Sequence, residues 1–102
     1  MTALADLANL IRSKNAGPFV LTLDIMFEDK ARYRRVRDCG VITTDLIATL
    51  YRLPATQVRL FFCDAALAIK VSIPRPVAQG GVGDSDGHGG QQYAPLLAIE
   101  VP

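Results

Sequence analysis

Apolar and polar residues alternate most cleanly in FVLTLDIMF, Phe19 to Phe27. Phe19, Leu21, Leu23, Ile25 and Phe27 fall on one side, and Val20, Thr22, Asp24 and Met26 on the other. A period of two predicts a strand with one face on a core and a mixed second face. A mixed face suits a pocket or an interface, so Asp24 at its centre is a candidate functional residue. VRLFFC, Val58 to Cys63, predicts a second strand, and LAIKVSI, Leu67 to Ile73, alternates again. With Asp64-Ala65-Ala66 as the turn between them, the two read as a hairpin. PLLAIEV, Pro95 to Val101, predicts a last strand.

Helical spacing takes over elsewhere. Leu4, Leu7, Leu10 and Ile11 make one apolar stripe, which predicts an opening helix capped by Thr2. Asn15, Ala16, Gly17 and Pro18 stop it, since Asn and Gly tolerate a left-handed cap and Pro cannot continue the ladder. Arg12 and Lys14 then sit at a helix C-terminus, where the dipole favours cations. Asp29 caps a short helix in which Tyr33 and Val36 face inward, ended by Gly40. Thr43 caps another, with Leu46, Ile47 and Leu50 as its stripe and Pro54 past its end. The order helix, strand, two helices, hairpin, long loop, strand predicts an α+β two-layer sandwich. Its sheet is four-stranded, mainly antiparallel and ferredoxin-like, with helices on one face. The other face is then solvated or buried against a second chain.

A chain of 102 residues, half of them apolar, forms one domain, residues 1–102, with a glycine-rich loop at 76–93. A net charge of +1 exerts no general pull on nucleic acid or anionic membrane. Lys30, Arg32, Arg34, Arg35 and Arg37 interleave with Tyr33, but Glu28, Asp29 and Asp38 flank them, which favours a solvated helix face. No apolar run approaches the length of a membrane span, and MTALADLANLIRSK lacks the layout of a signal peptide. The expectation is a cytoplasmic protein whose Cys39 and Cys63 are reduced thiols.

The loop GGVGDSDGHGGQQYAP admits three readings. As a metal site it offers Asp84, Asp86 and His88 at alternate positions, but the later acidic ligand of a calcium loop is missing. As a phosphate cradle its glycines should open a helix; they lead instead into Gln91 and Gln92. As a lid it has glycine hinges, polar groups in its middle, and two glutamines able to bond a carboxylate or amide. The expectation is therefore no metal and no cofactor. Ser13, Lys14 and Asn15 form a second polar cluster that suits an anion. Arg75, held between two prolines, points toward the loop it introduces. Nothing in the spacing of the lone histidine and the cysteines recommends a nucleophilic triad.

RSKNAGPFVLTLDIMF, the prolines around Arg75, and GDSDGHGGQQYAPLLAIEVP together resemble the small AtuA-like ferredoxin-fold family, long catalogued as a domain of unknown function. Its pattern falls on Ser13, Lys14, Asn15, Gly17, Pro18, Asp24, Arg75, Asp84, Asp86, Gly87, Gln91 and Gln92. The resemblance implies a partnership with the larger acyclic terpene utilisation protein AtuA, in catabolism of branched or organic acids or their CoA thioesters. It implies a non-catalytic or co-catalytic subunit rather than an enzyme acting alone. On that reading Thr22, Asp24 and Met26 dock on the larger chain, and the loop residues join Ser13, Lys14 and Asn15 around a small carboxylate or acyl-CoA. Two rivals stand beside it. One is a homo-oligomeric lyase or hydratase in which Lys14 or Asp24 is the acid or base and Arg75 holds a substrate carboxylate. The other is a carboxylate-binding module without chemistry.

Overall fold

The computed structural model describes residues 1–17, 19–74 and 93–102. In chain order it contains β1 (Thr2–Ala3), α1 (Leu4–Leu7), β2 (Leu10–Asn15), β3 (Val20–Met26), α2 (Lys30–Asp38), α3 (Thr44–Tyr51), β4 (Arg59–Cys63), β5 (Ala68–Pro74) and β6 (Glu100–Val101). Short 3-10 turns cover Ala55–Gln57, Asp64–Ala66 and Ala94–Ala98. The main sheet is antiparallel throughout, in the order β2-β3-β5-β4. Both β3 and β4 run against β5 and are therefore parallel to each other. The helical pair α2–α3 joins them across the strand that later fills the gap. This is an α+β architecture compatible with a ferredoxin-like two-layer sandwich.

The helix side of the sheet is the predicted one. Leu21, Leu23 and Ile25 of β3 lie opposite Ile73, Val71 and Ile69 of β5, and each is at most 2% exposed. Tyr33 and Val36 of α2 and Ile47 of α3 belong to the same buried cluster. The caps are also as expected. The Asp29 carboxylate accepts from the Arg32 backbone N–H at 2.8 Å, and the Thr43 hydroxyl from that of Leu46 at 3.0 Å. Each satisfies a backbone donor that the first turn of a helix leaves open. The hairpin of β4 and β5 forms around the Asp64–Ala66 turn.

Two expectations fail. The opening helix is a single turn, Leu4–Leu7, and Leu10–Asn15 is an edge strand paired with β3. Arg12 and Lys14 are therefore on a strand and not at a helix C-terminus, and Asn15 to Gly17 turn a hairpin instead of capping a helix. The Ala16 N–H closes that turn on the Val20 carbonyl at 2.9 Å. A side chain at Gly17 would meet no atom within 4 Å; its φ of 137° is what reserves the position for glycine. Thr2 caps nothing: it lies in β1, and its hydroxyl accepts from the Arg35 guanidinium at 3.1 Å. The second failure is the last strand. Pro95 lacks an N–H and suits a first helical turn, and Ala94–Ala98 winds as a 3-10 turn. Only Glu100–Val101 is extended, and it pairs with β1 in a separate two-stranded ribbon. The fourth place in the main sheet belongs to β2.

Candidate functional site

No described element packs on the other face of the sheet, where the residues that alternate with the core are laid out in rungs. Directly opposite residues share a face. One rung runs Arg12, Asp24, Lys70, Phe61 across all four strands. The next runs Lys14, Thr22, Ser72, Arg59. Four cations therefore share these two rungs with one carboxylate. Asp24 is almost buried, with its side chain 9% exposed, while the Arg12 side chain is 50% exposed. The Arg12 Nε–H donates to Asp24 Oδ2 at 3.0 Å. A desolvated carboxylate is tolerated at a sheet centre only when charged donors reach it, and Arg12 supplies that donor. Thr22 turns its hydroxyl onto the Lys14 carbonyl at 3.3 Å.

Over these rungs lies a depression of about 270 Å³ lined by Arg12, Lys14, Thr22, Asp24, Phe61, Lys70, Val71 and Ser72. It is slightly smaller than the usual 300–1,000 Å³ of a small-molecule pocket. It can take a carboxylate with a short apolar part, and it cannot enclose an acyl-CoA without a further wall. Phe61 and Leu10 are exposed on the same face, as is Val20 at its margin. The face thus combines exposed apolar groups with a net positive charge.

A larger cleft, about 440 Å³, opens between α2 and the β4–β5 turn. Tyr33, Arg37 and Asp64 satisfy one another there, beside Lys30 and Arg34, which also line the cleft. The Tyr33 hydroxyl donates to Asp64, and Arg37 donates to Asp64 at 3.1 Å and to Asp38 at 2.7 Å. The guanidinium also stands 5.5 Å from the centre of the Tyr33 ring. Burial, reinforced by the bond to Asp64, pushes the Tyr33 phenol up to about 12. The same hydrogen bond, followed by that from Arg37, holds the Asp64 carboxyl below its usual range. Asp38 is lowered chiefly by Arg37. This network clamps α2 onto the hairpin turn. Its engaged groups make it a structural joint, and the open sheet face is the better candidate for function.

The structure brings Lys14 and Asp24 together and separates them from their sequence neighbours. Ser13 lies opposite Leu23, and Asn15 opposite Leu21, on the helix side. Ser13 is 6% exposed and belongs with the core layer. The polar corner expected from Ser13, Lys14 and Asn15 is thus divided between two faces by the strand's period of two. Arg75, Asp84, Asp86, His88, Gln91 and Gln92 lie outside the described residues. The sequence reads Lys70 as solvent-facing and gives Arg59 and Phe61 no functional role. The alternation of β5 does place Lys70 away from the core, but only the register sets it beside Asp24.

Cys39 and Cys63 are free thiols, and the Cys39 S–H donates to the Val36 carbonyl at 3.1 Å. Among the described residues no three His, Cys, Asp or Glu side chains gather to hold a metal ion. None of the described helices is long and apolar enough to cross a membrane.

The fold and this face define a small α+β sheet domain with one cationic, partly apolar side open. A family model matches residues 4–100, and the chain belongs to that family, described as a domain of unknown function (DUF4387). No curated protein and no solved structure matches the chain.

Proposed function

We propose that this chain is the small accessory subunit of a heteromeric enzyme, docked through its open sheet face on a larger AtuA-like chain. That enzyme acts in catabolism of branched or organic acids or their CoA thioesters. The observation that carries the reading is the open face itself. It sets exposed Phe61 and Leu10 beside Arg12, Lys14, Arg59 and Lys70, with Asp24 as the only acid on those two rungs. Exposed aromatic side chains and arginines are enriched at protein interfaces. The complementary surface on the larger chain is acidic. Asp24 fixes Arg12 in place and so presents that cation to the partner.

The test is co-expression with the larger chain, affinity capture, and turnover of acid and CoA-thioester substrates by each chain alone and by the pair. Capture is expected to succeed at low salt and weaken at high salt, because exposed charges act mainly through association rate and are screened by salt. Lys14→Glu with Lys70→Glu is expected to abolish capture, and turnover is expected only from preparations containing the larger chain. Turnover by the small chain alone would establish the lyase or hydratase reading instead.

The depression of about 270 Å³ supports a second reading, a carboxylate-binding module, in which Lys14 and Lys70 hold the anion and Phe61 covers its apolar part. Calorimetric titration with short-chain carboxylates separates the two. Saturable binding lost in Lys70→Ala, with no capture of the larger chain, favours the module.

A further inference from the structure

The main sheet has two edges among the described residues, β2 and β4, and they are built differently. Sheet edges expose unpaired backbone groups, and proteins commonly guard them with charged side chains, lysine above all. β2 is guarded. Its sequence LIRSKN alternates Arg12 and Lys14 on the open side. Two copies paired antiparallel about Ser13 would set each Arg12 against a second copy's Lys14, and like charges directly opposite are unfavourable.

β4 has no such guard. RLFFC carries one charge, Arg59, at its end, and Phe61 and Phe62 are 53% and 39% exposed on opposite sides of the sheet. We propose that β4 pairs with β4 of a second copy of this chain, making a two-fold dimer with one continuous eight-stranded sheet. The register follows from the geometry. Opposite residues must share a face, so the two facing numbers must sum to an even value, and the two-fold passes through a residue. Centring on Phe61 alone overlaps the whole strand Arg59–Cys63. Phe61 then meets Phe61 on the open side, Leu60 meets Phe62 on the helix side, and Arg59 lies opposite Cys63. Arg59 is the strand's only charge and faces no second cation across this seam, where at β2 cation would meet cation. The dimer also sets the two open faces side by side on one surface.

The experiment is sedimentation of the pure chain over a concentration series, with Phe62→Lys as the breaking variant and Arg59→Cys in a Cys39→Ser background as a register probe. Phe62 faces away from the open side, so its loss leaves the docking surface for a larger chain untouched. The expected result is a mass twice the 11.0 kDa of one chain, reduced to one chain by Phe62→Lys. Mild oxidation of the register probe should give a disulfide-linked dimer between positions 59 and 63, whereas Lys14→Cys in the same background should give none. A mass of one chain at every concentration, with no such crosslink, overturns the proposal. So does a dimer that survives Phe62→Lys and fails to crosslink at 59 and 63.

Discussion

β3 shows both halves of the molecule's logic within seven residues. Leu21, Leu23 and Ile25 face the helices and are at most 1% exposed, while Val20, Thr22, Asp24 and Met26 face the open side. The first set is required by the fold, because helices and sheet have nothing else to bury against. The second set is not. Polar or small residues there would leave the same backbone pairing intact. The open side nevertheless carries exposed Phe61 and Leu10, and a nearly buried Asp24 that needs a charged donor to be tolerated. Residues that the fold does not require, and that cost free energy where they stand, are best explained by what comes to lie against them.

The sharpest way to break the comparison is to truncate one residue from each side of the same strand. Leu23→Ala leaves a cavity in the core cluster and should cost about 2–5 kcal/mol in denaturant unfolding. Thr22→Ala, one position away, removes a bond to the Lys14 carbonyl from a half-exposed site and should cost about 0.5 kcal/mol or less. Equal losses would mean that the open side is packed in the monomer. Next in size is Asp24→Ala, which strips the Arg12 guanidinium of its partner and should cost about 1–2 kcal/mol. Arg12→Ala should cost at least as much if it strands the carboxylate, since Asp24 is the more buried of the two.

A pH titration sharpens the same contrast from the helix side. The Tyr33 phenol is raised to about 12, by burial first and by its bond to Asp64 second. In the unfolded chain tyrosine ionises near 10. Between those values the unfolded chain loses the proton first, so stability is fully present below pH of about 10 and falls as pH rises toward about 12. Tyr51 is raised in the same direction by burial. Asp64 and Asp38 act oppositely. Their lowered carboxyls contribute stability above the usual carboxylate range and lose it as pH falls. Unfolding midpoints measured against pH, with Tyr33→Phe for comparison, read this directly: the variant should flatten the alkaline limb.

How far the sequence reveals this depends on how many neighbours a residue has. In β3 and β5, paired on both sides and packed on one face, the alternation is forced, and it is legible without coordinates. The caps at Asp29 and Thr43 are legible because each is a local exchange between one side chain and one backbone N–H. β2 is not. At an edge only one side is paired, so Ile11 is its only large apolar residue facing the core layer, and Leu10 and Ile11 fit a helical stripe equally well. The turn residues Asn15 to Gly17 serve to stop a helix or to turn a hairpin, and choosing between them needs the tertiary pairing. The site suffers for the same reason. Ser13, Lys14 and Asn15 read as one corner on a helix end, but on a strand the middle residue goes to the open side, opposite Thr22, and the outer two to the core side. The rung Arg12, Asp24, Lys70, Phe61 gathers residues from four strands, and register alone assembles it.

The smallest expected effect is also the most discriminating. Phe61 is 53% exposed on the open side, at the edge of the sheet. Threonine keeps the strand preference of the position while removing the ring. In dilute protein, Phe61→Thr should change unfolding free energy by less than about 0.5 kcal/mol, because about half of the residue is already exposed and threonine keeps the strand preference. A fold that needed the ring would show a large loss at every concentration. A ring kept for a second surface gives a loss that is negligible when dilute and grows as protein or partner is added, since anything that binds only the folded state stabilises it by mass action. The concentration dependence of that one variant, set against the constant large loss in Leu23→Ala, separates the side of the sheet that makes the fold from the side that uses it.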